Sequence, residues 1–219
     1  VIHVNEGKPI ENDLLRGRVE GVKYGEATDG SEPKELAGAL MGLFGPDTES
    51  FTKDTAIMTC TTGENGAFAF ENIPYGHFIV AEIEAPALYT VSPERHHIYI
   101  GTDDQVITIR VDNTLIRGSV QVIKTEAVAE PSAVENTNEN TFMRFLPGAE
   151  FALYEDTNGN KEFDSEDKQL GKLTETDGGY HTVENLLAGG YFIKESKAPK
   201  GYIQDEKAYF FAITEDGQV

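Results

Sequence analysis

The sequence RGSVQVIK, residues 117–124, repeats an earlier segment of the chain, RGRVEGVK, residues 16–23. In both segments small or apolar residues alternate with other residues, which predicts a β-strand with one face against a core. On that face each segment ends at a lysine, Lys23 in the first and Lys124 in the second. A buried ammonium without a partner is costly, so each lysine is expected to be paired, neutral or chemically consumed.

The repeat continues in the same order along both halves of the chain. The matching segments are LAGALMGLF (36–44) with LPGAEFALY (146–154), GENGAFAFENIPYGHFIVAEIEAP (63–86) with ETDGGYHTVENLLAGGYFIKESKAP (175–199), and YIGTDDQV (99–106) with FAITEDGQV (211–219). Two copies of one module, about 100 residues each, explain the chain better than one large domain.

Each copy is predicted to be all-β. Short runs such as HFIVAEI and VITIRV alternate or are β-branched, and turn clusters such as GENG and DGG separate them, while no long stretch has a helical period. This pattern is typical of antiparallel β-sandwiches or small barrels, and we predict tandem sandwiches of the Ig-like or prealbumin-like kind. Residues 127–141 are polar and contain proline, which predicts an inserted mobile loop.

Composition excludes several classes of protein. The formal net charge is −20, which argues against nucleic acid and anionic membrane surfaces as partners. No apolar run reaches the roughly 18 residues of a membrane span, so no membrane insertion is expected. There is no signal peptide, so the sequence is interpreted as a fragment without its targeting segment. The single cysteine, Cys60, excludes an intrachain disulfide; a cytosolic protein is the simple interpretation, and an exported protein stabilised in another way is the alternative.

The order of motifs resembles a known family. A first strand that ends in lysine is followed by L-x-G-A-x-F-x-L and then by G-x-Y/F-x-x-x-E-x-x-A-P-x-x-Y. This order is similar to the B-type repeat domain of Gram-positive collagen adhesins and pilins, the Cna-B or SpaA-like domain. The second copy matches closely in LPGAEFALYED and GGYFIKESKAPKGY, whereas the first has Met41 in place of the aromatic residue and Leu88 in place of glycine.

The resemblance implies a self-formed isopeptide bond between the first-strand lysine and an asparagine of the last strand, assisted by a glutamate. In the first copy these residues would be Lys23, Asn113 and Glu82. Asp112 is an alternative partner, because the family also uses aspartate. Glu84 is an alternative to Glu82, since strand parity places both on one face, but alignment to Glu195 favours Glu82.

In the second copy the resemblance implies Lys124 and Glu195. The chemistry is physically reasonable, because burial favours a neutral amine and a protonated carboxyl, and folding supplies a high effective concentration. The bond forms once and consumes its reactants, so the protein is not predicted to be an enzyme.

A second motif, DTNGNKEFDSED, covers residues 156–167. Oxygen ligands occur at positions 1, 3, 5, 7, 9 and 12, the spacing of an EF-hand-like calcium loop. The candidate ligands of Ca²⁺ are Asp156, Asn158, Asn160, Glu162 through its backbone carbonyl, Asp164 and Asp167. Lys161 replaces the usual glycine at position 6, and an aspartate replaces the usual glutamate at position 12. An acidic surface loop without metal is the alternative.

The ends of the two copies differ. The first copy ends with the strand ITIRVDN, but the second stops at Val219, the equivalent of Val106. The predicted domains are therefore residues 15–115, and residues 116–219 without a last strand. Residues 1–14 resemble the last strand of a preceding module, ending at Asn5, followed by a linker. Head-to-tail exchange of that strand would place Asn5 near Lys124 and Glu195; the alternative is that the parent protein supplies the strand.

The predicted function is a structural stalk segment of an extracellular, cell-wall-anchored adhesin or pilus-like protein. Its partners would be neighbouring modules of the same surface protein. The alternative function is a ligand-binding module for a host matrix protein or a carbohydrate, and a third is an accessory domain of an enzyme.

Overall fold

The computed structural model describes residues 12–126 and 145–219. Every element in these residues is a β-strand, which confirms the predicted all-β class. The chain divides between Leu115 and Ile116 into two compact units, here called unit one and unit two. Among the described residues, no helix is both long enough and apolar enough to cross a membrane.

Unit one is a sandwich of two sheets. Its strands are β1 (Arg16–Gly25), β2 (Lys34–Glu35), β3 (Leu40–Phe44), β4 (Met58–Thr61), β5 (Ala67–Pro74), β6 (Gly76–Glu84), β7 (Arg95–Ile100) and β8 (Gln105–Asn113). Strands β2 and β5 pair with β1 in one sheet, and the other sheet has the order β4-β3-β6-β7. Strand β8 pairs with β1 in parallel, while the other pairs of unit one are antiparallel.

The alternation of β1 decides which side chains enter the core of unit one. Gly17, Val19, Gly21, Lys23 and Gly25 are buried, and the residues between them are half-buried or exposed. A Cβ at Gly21 would lie 2.2 Å from the Phe68 ring, so glycine here leaves space for that ring. Residues from both sheets complete the core, including Met41, Leu43, Phe70, Ile73, Val80, Ile98, Ile100 and Val111.

Unit two repeats this architecture. Its strands are β9 (Arg117–Ile123), β10 (Glu150–Glu155), β11 (Lys168–Lys172), β12 (Thr174–Asp177), β13 (Tyr180–Leu187), β14 (Gly189–Lys197) and β15 (Ala208–Ile213). One sheet has the order β12-β13-β9 and the other β11-β10-β14-β15. Strand β9 corresponds to β1, and within the described ranges no strand takes the place that β8 has in unit one.

Candidate functional site

Lys23 lies near the end of β1 with its side chain in the core of unit one. Its backbone N–H donates to the carbonyl of Gly66 (2.8 Å), and its carbonyl accepts from the N–H of Leu36 (2.9 Å). Gly66 has φ +68°, and a Cβ at this position would lie 2.3 Å from the Lys23 carbonyl oxygen. Backbone bonds on both sides therefore fix this lysine, and the inward alternation of β1 leaves it fully buried.

Asn113 reaches Lys23 because β8 runs parallel to β1. Lys23 pairs with Val111 and Gly25 pairs with Asn113, so the asparagine lies two residues further along the same inward face. The Lys23 Nζ donates a short hydrogen bond to Asn113 Oδ1, although the two residues are 90 positions apart in the sequence. Asn113 is only 3% exposed, so water does not compete for this contact.

Glu82 approaches both residues from β6, in the opposite sheet. Its Oε2 lies 3.3 Å from Lys23 Nζ, and its Oε1 accepts a hydrogen bond from Asn113 Nδ2 at 2.9 Å. The backbone N–H of Ser92 donates to Oε2 at 2.6 Å. Amine, carboxamide and carboxyl therefore contact one another pairwise, in a space where all three are buried.

A β-bulge separates Glu82 from its rival Glu84. Met41 pairs with Glu82 and Leu40 with Glu84, so Ile83 is an extra residue on β6. The prediction that strand parity places both glutamates on one face was wrong, because the bulge shifts the register and leaves Glu84 exposed. Glu82 alone of the two enters the core.

Asp112, the alternative partner of Lys23, lies on the outer face of β8. Its carboxylate accepts three hydrogen bonds from the Arg110 guanidinium, at 2.7 to 3.0 Å, and its side chain is 48% exposed. These hydrogen bonds lower the pKa of Asp112 below its usual range. The structure thus brings Asn113, and not Asp112, to the lysine.

Burial is the main electrostatic influence on Lys23. Desolvation lowers the pKa of its ammonium, while the nearby Glu82 carboxylate acts in the opposite direction. Because desolvation is the stronger of the two, the site favours the neutral amine more than water does. A neutral amine is a nucleophile, which an ammonium is not.

The described residues of unit two reproduce two of these three groups. Lys124 Nζ lies 2.9 Å from Glu195 Oε1, and the N–H of Asp205 donates to Glu195 Oε2 at 2.7 Å, as Ser92 does to Glu82. The backbone of Lys124 is bonded to Gly179 and Leu146 at 2.9 Å, in the pattern of Lys23. The Lys124 side chain is 21% exposed.

The predicted partner in unit two, Asn5, lies outside the described residues, as does the segment 127–141. The contact of Asn5 with Lys124 stays a prediction.

The predicted calcium loop lies between β10 and β11. Lys161, at position 6, has φ +61°, the left-handed conformation that glycine supplies in an EF-hand loop. The oxygens of Asn158, Asn160, Asp164 and Asp167 accept backbone N–H groups within the loop. The N–H of Glu162 donates to Asn160.

Asp156 begins the loop and accepts the N–H of Lys161 at 3.1 Å. One carboxylate oxygen each of Asp156 and Asp167 is buried without a hydrogen bond. Within residues 12–126 and 145–219, however, no three His, Cys, Asp or Glu side chains are grouped to hold a metal ion. Binding of Ca²⁺ by this loop stays a prediction.

Sequence reasoning missed His181, which is fully buried in unit two. It corresponds to Phe68 of unit one, and its ring packs edge-on against Phe151 at 4.9 Å. Neither ring nitrogen has a hydrogen-bond partner among the described residues. Burial lowers the pKa of His181, and the charge of Glu175, its cross-strand partner, only partly opposes this effect. The sequence does contain a signal for this residue, because a polar side chain stands where the first copy has phenylalanine.

His181 makes the stability of unit two depend on pH. Its pKa is lower in the folded state than in the unfolded chain, so the unfolded chain binds the proton more readily. The stability that unit two gains from a neutral His181 is therefore fully present above about pH 6.5, the usual pKa of histidine in an unfolded chain. It is lost as the pH falls from there toward the pKa of His181 in the folded state. We expect His181→Phe to remove this acid-induced loss of stability.

Urea unfolding of unit two at neutral and mildly acidic pH measures this effect. His77→Phe, a change at an exposed histidine of unit one, is the matched control. An equal acid sensitivity of the wild type and His181→Phe would contradict the assignment.

The comparisons with known proteins agree with this architecture. The SpaA prealbumin-like fold domain family matches residues 24–115 and again residues 134–219. A search of curated protein sequences finds no match. Among solved structures, the Bacillus anthracis TIE protein is similar with a TM-score of 0.65 and 24% identity, over 93% of this chain and 32% of that chain.

A streptococcal ancillary pilin is similar with a TM-score of 0.40 and 23% identity, over 95% of this chain and 62% of that chain. The shaft pilin SpaA of Lactobacillus rhamnosus GG is similar with a TM-score of 0.38 and 13% identity, over 93% of this chain and 96% of that chain. The chain thus spans about a third of the TIE protein and less than two thirds of the ancillary pilin. The two family matches cover both units, and the chain belongs to the SpaA prealbumin-like fold domain family, with two copies in tandem.

Proposed function

We propose that the chain is a structural stalk segment of an extracellular surface protein, and that a Lys23–Asn113 isopeptide bond cross-links unit one. One observation carries the proposal: the buried, pairwise contact of the Lys23 amine, the Asn113 carboxamide and the Glu82 carboxyl. Membership in a family that includes pilin domains supports the structural role.

The contacts define a balanced reaction. The neutral Lys23 Nζ attacks Cγ of Asn113, a new N–C bond forms, and the Cγ–Nδ2 bond breaks. Glu82 contacts both nitrogens, so it can take a proton from the attacking amine and give one to the departing Nδ2, which leaves as ammonia. Glu82 ends in its starting state, and the product is a neutral secondary amide.

Folding accelerates this single turnover by holding the reacting groups together. The parallel pairing of β1 and β8 holds the reacting groups in contact, which replaces an improbable encounter in solution. Closing a loop between residues 90 positions apart would stabilise the unit by about 4–5 kcal/mol, by analogy with a disulfide. The reaction also removes a potential buried charge from the core.

The position of the bond suits a segment that transmits tension along the protein. Lys23 lies near the end of the first strand of unit one and Asn113 at the end of its last strand, so the bond would join the first strand of the sandwich directly to the last. Tension along the protein would then pass through the covalent link, and the core would carry little of it. Neighbouring modules of the same surface protein, anchored to the cell wall, would be its partners.

Peptide mapping tests the proposal. After trypsin digestion of the wild-type protein, residues 19–34 and 111–117 should appear as one branched product that is lighter than their sum by one ammonia. Lys23→Ala should release an unmodified 111–117 peptide. Cleavage after Lys23, with residues 19–23, 24–34 and 111–117 recovered from the wild type as three unmodified peptides, would refute the bond.

Ligand binding is the alternative role. Tyr75, His77 and Tyr99 form an exposed ring cluster on unit one, with centroids 4.5 Å apart for His77–Tyr99 and 5.7 Å for Tyr75–Tyr99. Exposed rings of this kind can stack on a carbohydrate. Unit two has alanine and glycine at the positions aligned with Tyr75 and His77, so such a site would belong to unit one alone.

A further inference from the structure

Two exposed tyrosines of unit one contact each other through their hydroxyl groups. The Tyr99 hydroxyl donates a hydrogen bond to the Tyr75 hydroxyl at 3.0 Å, and the two rings meet edge-on with their centroids 5.7 Å apart. Tyr75 is 54% exposed and Tyr99 is 42% exposed, so both phenols are open to solvent. Within residues 12–126 and 145–219, no other two tyrosine hydroxyls are hydrogen-bonded to each other. Four further hydroxyls donate instead to carbonyl or carboxylate oxygens, those of Tyr89, Tyr191, Tyr202 and Tyr209.

The fold does not require this pair of tyrosines. In unit two, Ala212 takes the place of Tyr99 in the corresponding strand pair, and Ala188 takes the place of Tyr75 in the corresponding turn. Both turns are held in the same way, by a hydrogen bond from the N–H of this residue to the carbonyl of the residue that precedes the first strand. Since unit two forms the same turn and strand pair with alanine, the two phenols are an addition specific to unit one.

The surroundings of each ring hold the two phenols in contact. Tyr75 lies in the tight turn between β5 and β6, directly before Gly76, whose φ of +140° favours glycine. The Tyr99 ring stacks on the His77 ring with centroids 4.5 Å apart. It also extends over Gly101, where a Cβ would lie 2.7 Å from the Tyr99 ring. The contact between the hydroxyls is therefore part of the folded structure and needs no chance encounter.

Phenols held in this way are suited to oxidative coupling. One-electron oxidation takes an electron and a proton from each phenol and leaves a phenoxyl radical, whose unpaired electron is shared with the ring carbons ortho to the oxygen. Two such radicals join by a carbon–carbon bond between ortho carbons, and the hydrogens on these carbons then move to the oxygens and restore both hydroxyls. Because each ortho carbon is bonded to the carbon that bears the hydroxyl, contact between the hydroxyls brings the reacting carbons close together.

We propose that Tyr75 and Tyr99 form a dityrosine cross-link within one chain when the protein meets hydrogen peroxide and a haem peroxidase. The peroxide takes up two electrons and two protons and is reduced to two waters, so the chain loses two hydrogen atoms. The link fixes β7, the edge strand of its sheet, to the turn that joins the two sheets of unit one. It is independent of the bond between Lys23 and Asn113, because both tyrosines lie on the outside of the sandwich.

Treatment of the full chain with a haem peroxidase and hydrogen peroxide tests the cross-link. The expected product is a monomer on denaturing gels that has the fluorescence of dityrosine. After trypsin digestion, residues 54–95 and 96–110 should appear as one product that is lighter than their sum by two hydrogen atoms. Tyr75→Phe and Tyr99→Phe should each abolish this product, and both variants should fold, since unit two has alanine at these positions.

Tyr209→Phe is the matched control, because Tyr209 is 48% exposed but its hydroxyl donates to Asp205 and not to another tyrosine. It should give the linked product in the yield of the wild type. Dityrosine that appears only in covalent dimers, or equally in Tyr75→Phe, would overturn the inference. So would a wild-type chain without the linked product, if the same peroxidase couples free tyrosine in a parallel reaction.

Discussion

Stretched from its two ends, the wild-type chain should not release the residues between Lys23 and Asn113. An isopeptide bond would transmit the force directly from β1 to β8, so the 90-residue loop stays folded or at least unextended. Unfolding of the same loop without the bond would lengthen the chain by about 300 Å, at about 3.3–3.6 Å per residue. Single-molecule force spectroscopy measures this length directly.

The matched control is Lys23→Ala, which removes the amine and leaves the strands in place. This variant should show the long extension of unit one that the wild type lacks. Extension of unit two should be alike in both proteins, because Lys124 is unchanged. The same long extension of unit one in the wild type would show that no bond between Lys23 and Asn113 carries the force.

Glu82→Gln is expected to have the second large effect. The amide keeps the shape of Glu82 but cannot relay a proton, so Lys23 and Asn113 should stay unlinked at the full sequence mass. The variant also leaves Lys23 buried without its carboxyl partner, which costs about 3–5 kcal/mol. Because the variant also lacks the cross-link, its unit one should unfold at a much lower urea concentration than unit one of the wild type.

Glu84→Gln is the control for this variant, because Glu84 lies on the same strand but is exposed beyond the bulge. It should keep both the bond and the stability of the wild type. Equal effects of the two substitutions would show that the buried position of Glu82 has no special role.

The repeat and the alternation of residues predicted the two units and the inward lysines. The period-2 pattern suffices for Lys23, because β1 is regular along its length. It failed at β6, where the bulge at Ile83 changes which side chains face the core. A bulge depends on pairing with β3, which a single strand's sequence does not contain.

The candidate site was predicted mainly through the family resemblance. Lys23, Glu82 and Asn113 are far apart in sequence, so composition and spacing alone give no reason to group them. Ser92, whose N–H holds the Glu82 carboxylate, was not predicted because backbone donors carry no sequence signal. The contact of Lys124 with Glu195 is part of the structure, whereas a partner for Lys124 and a calcium ion in the loop of residues 156–167 stay predictions.

The intact mass of the wild-type protein, measured under denaturing conditions, is the most direct test of the bond between Lys23 and Asn113. We expect a mass lower than the sequence mass by one ammonia, and the full sequence mass for Lys23→Ala and Glu82→Gln after correction for the substitution. A wild-type protein at its full sequence mass would rule out the bond.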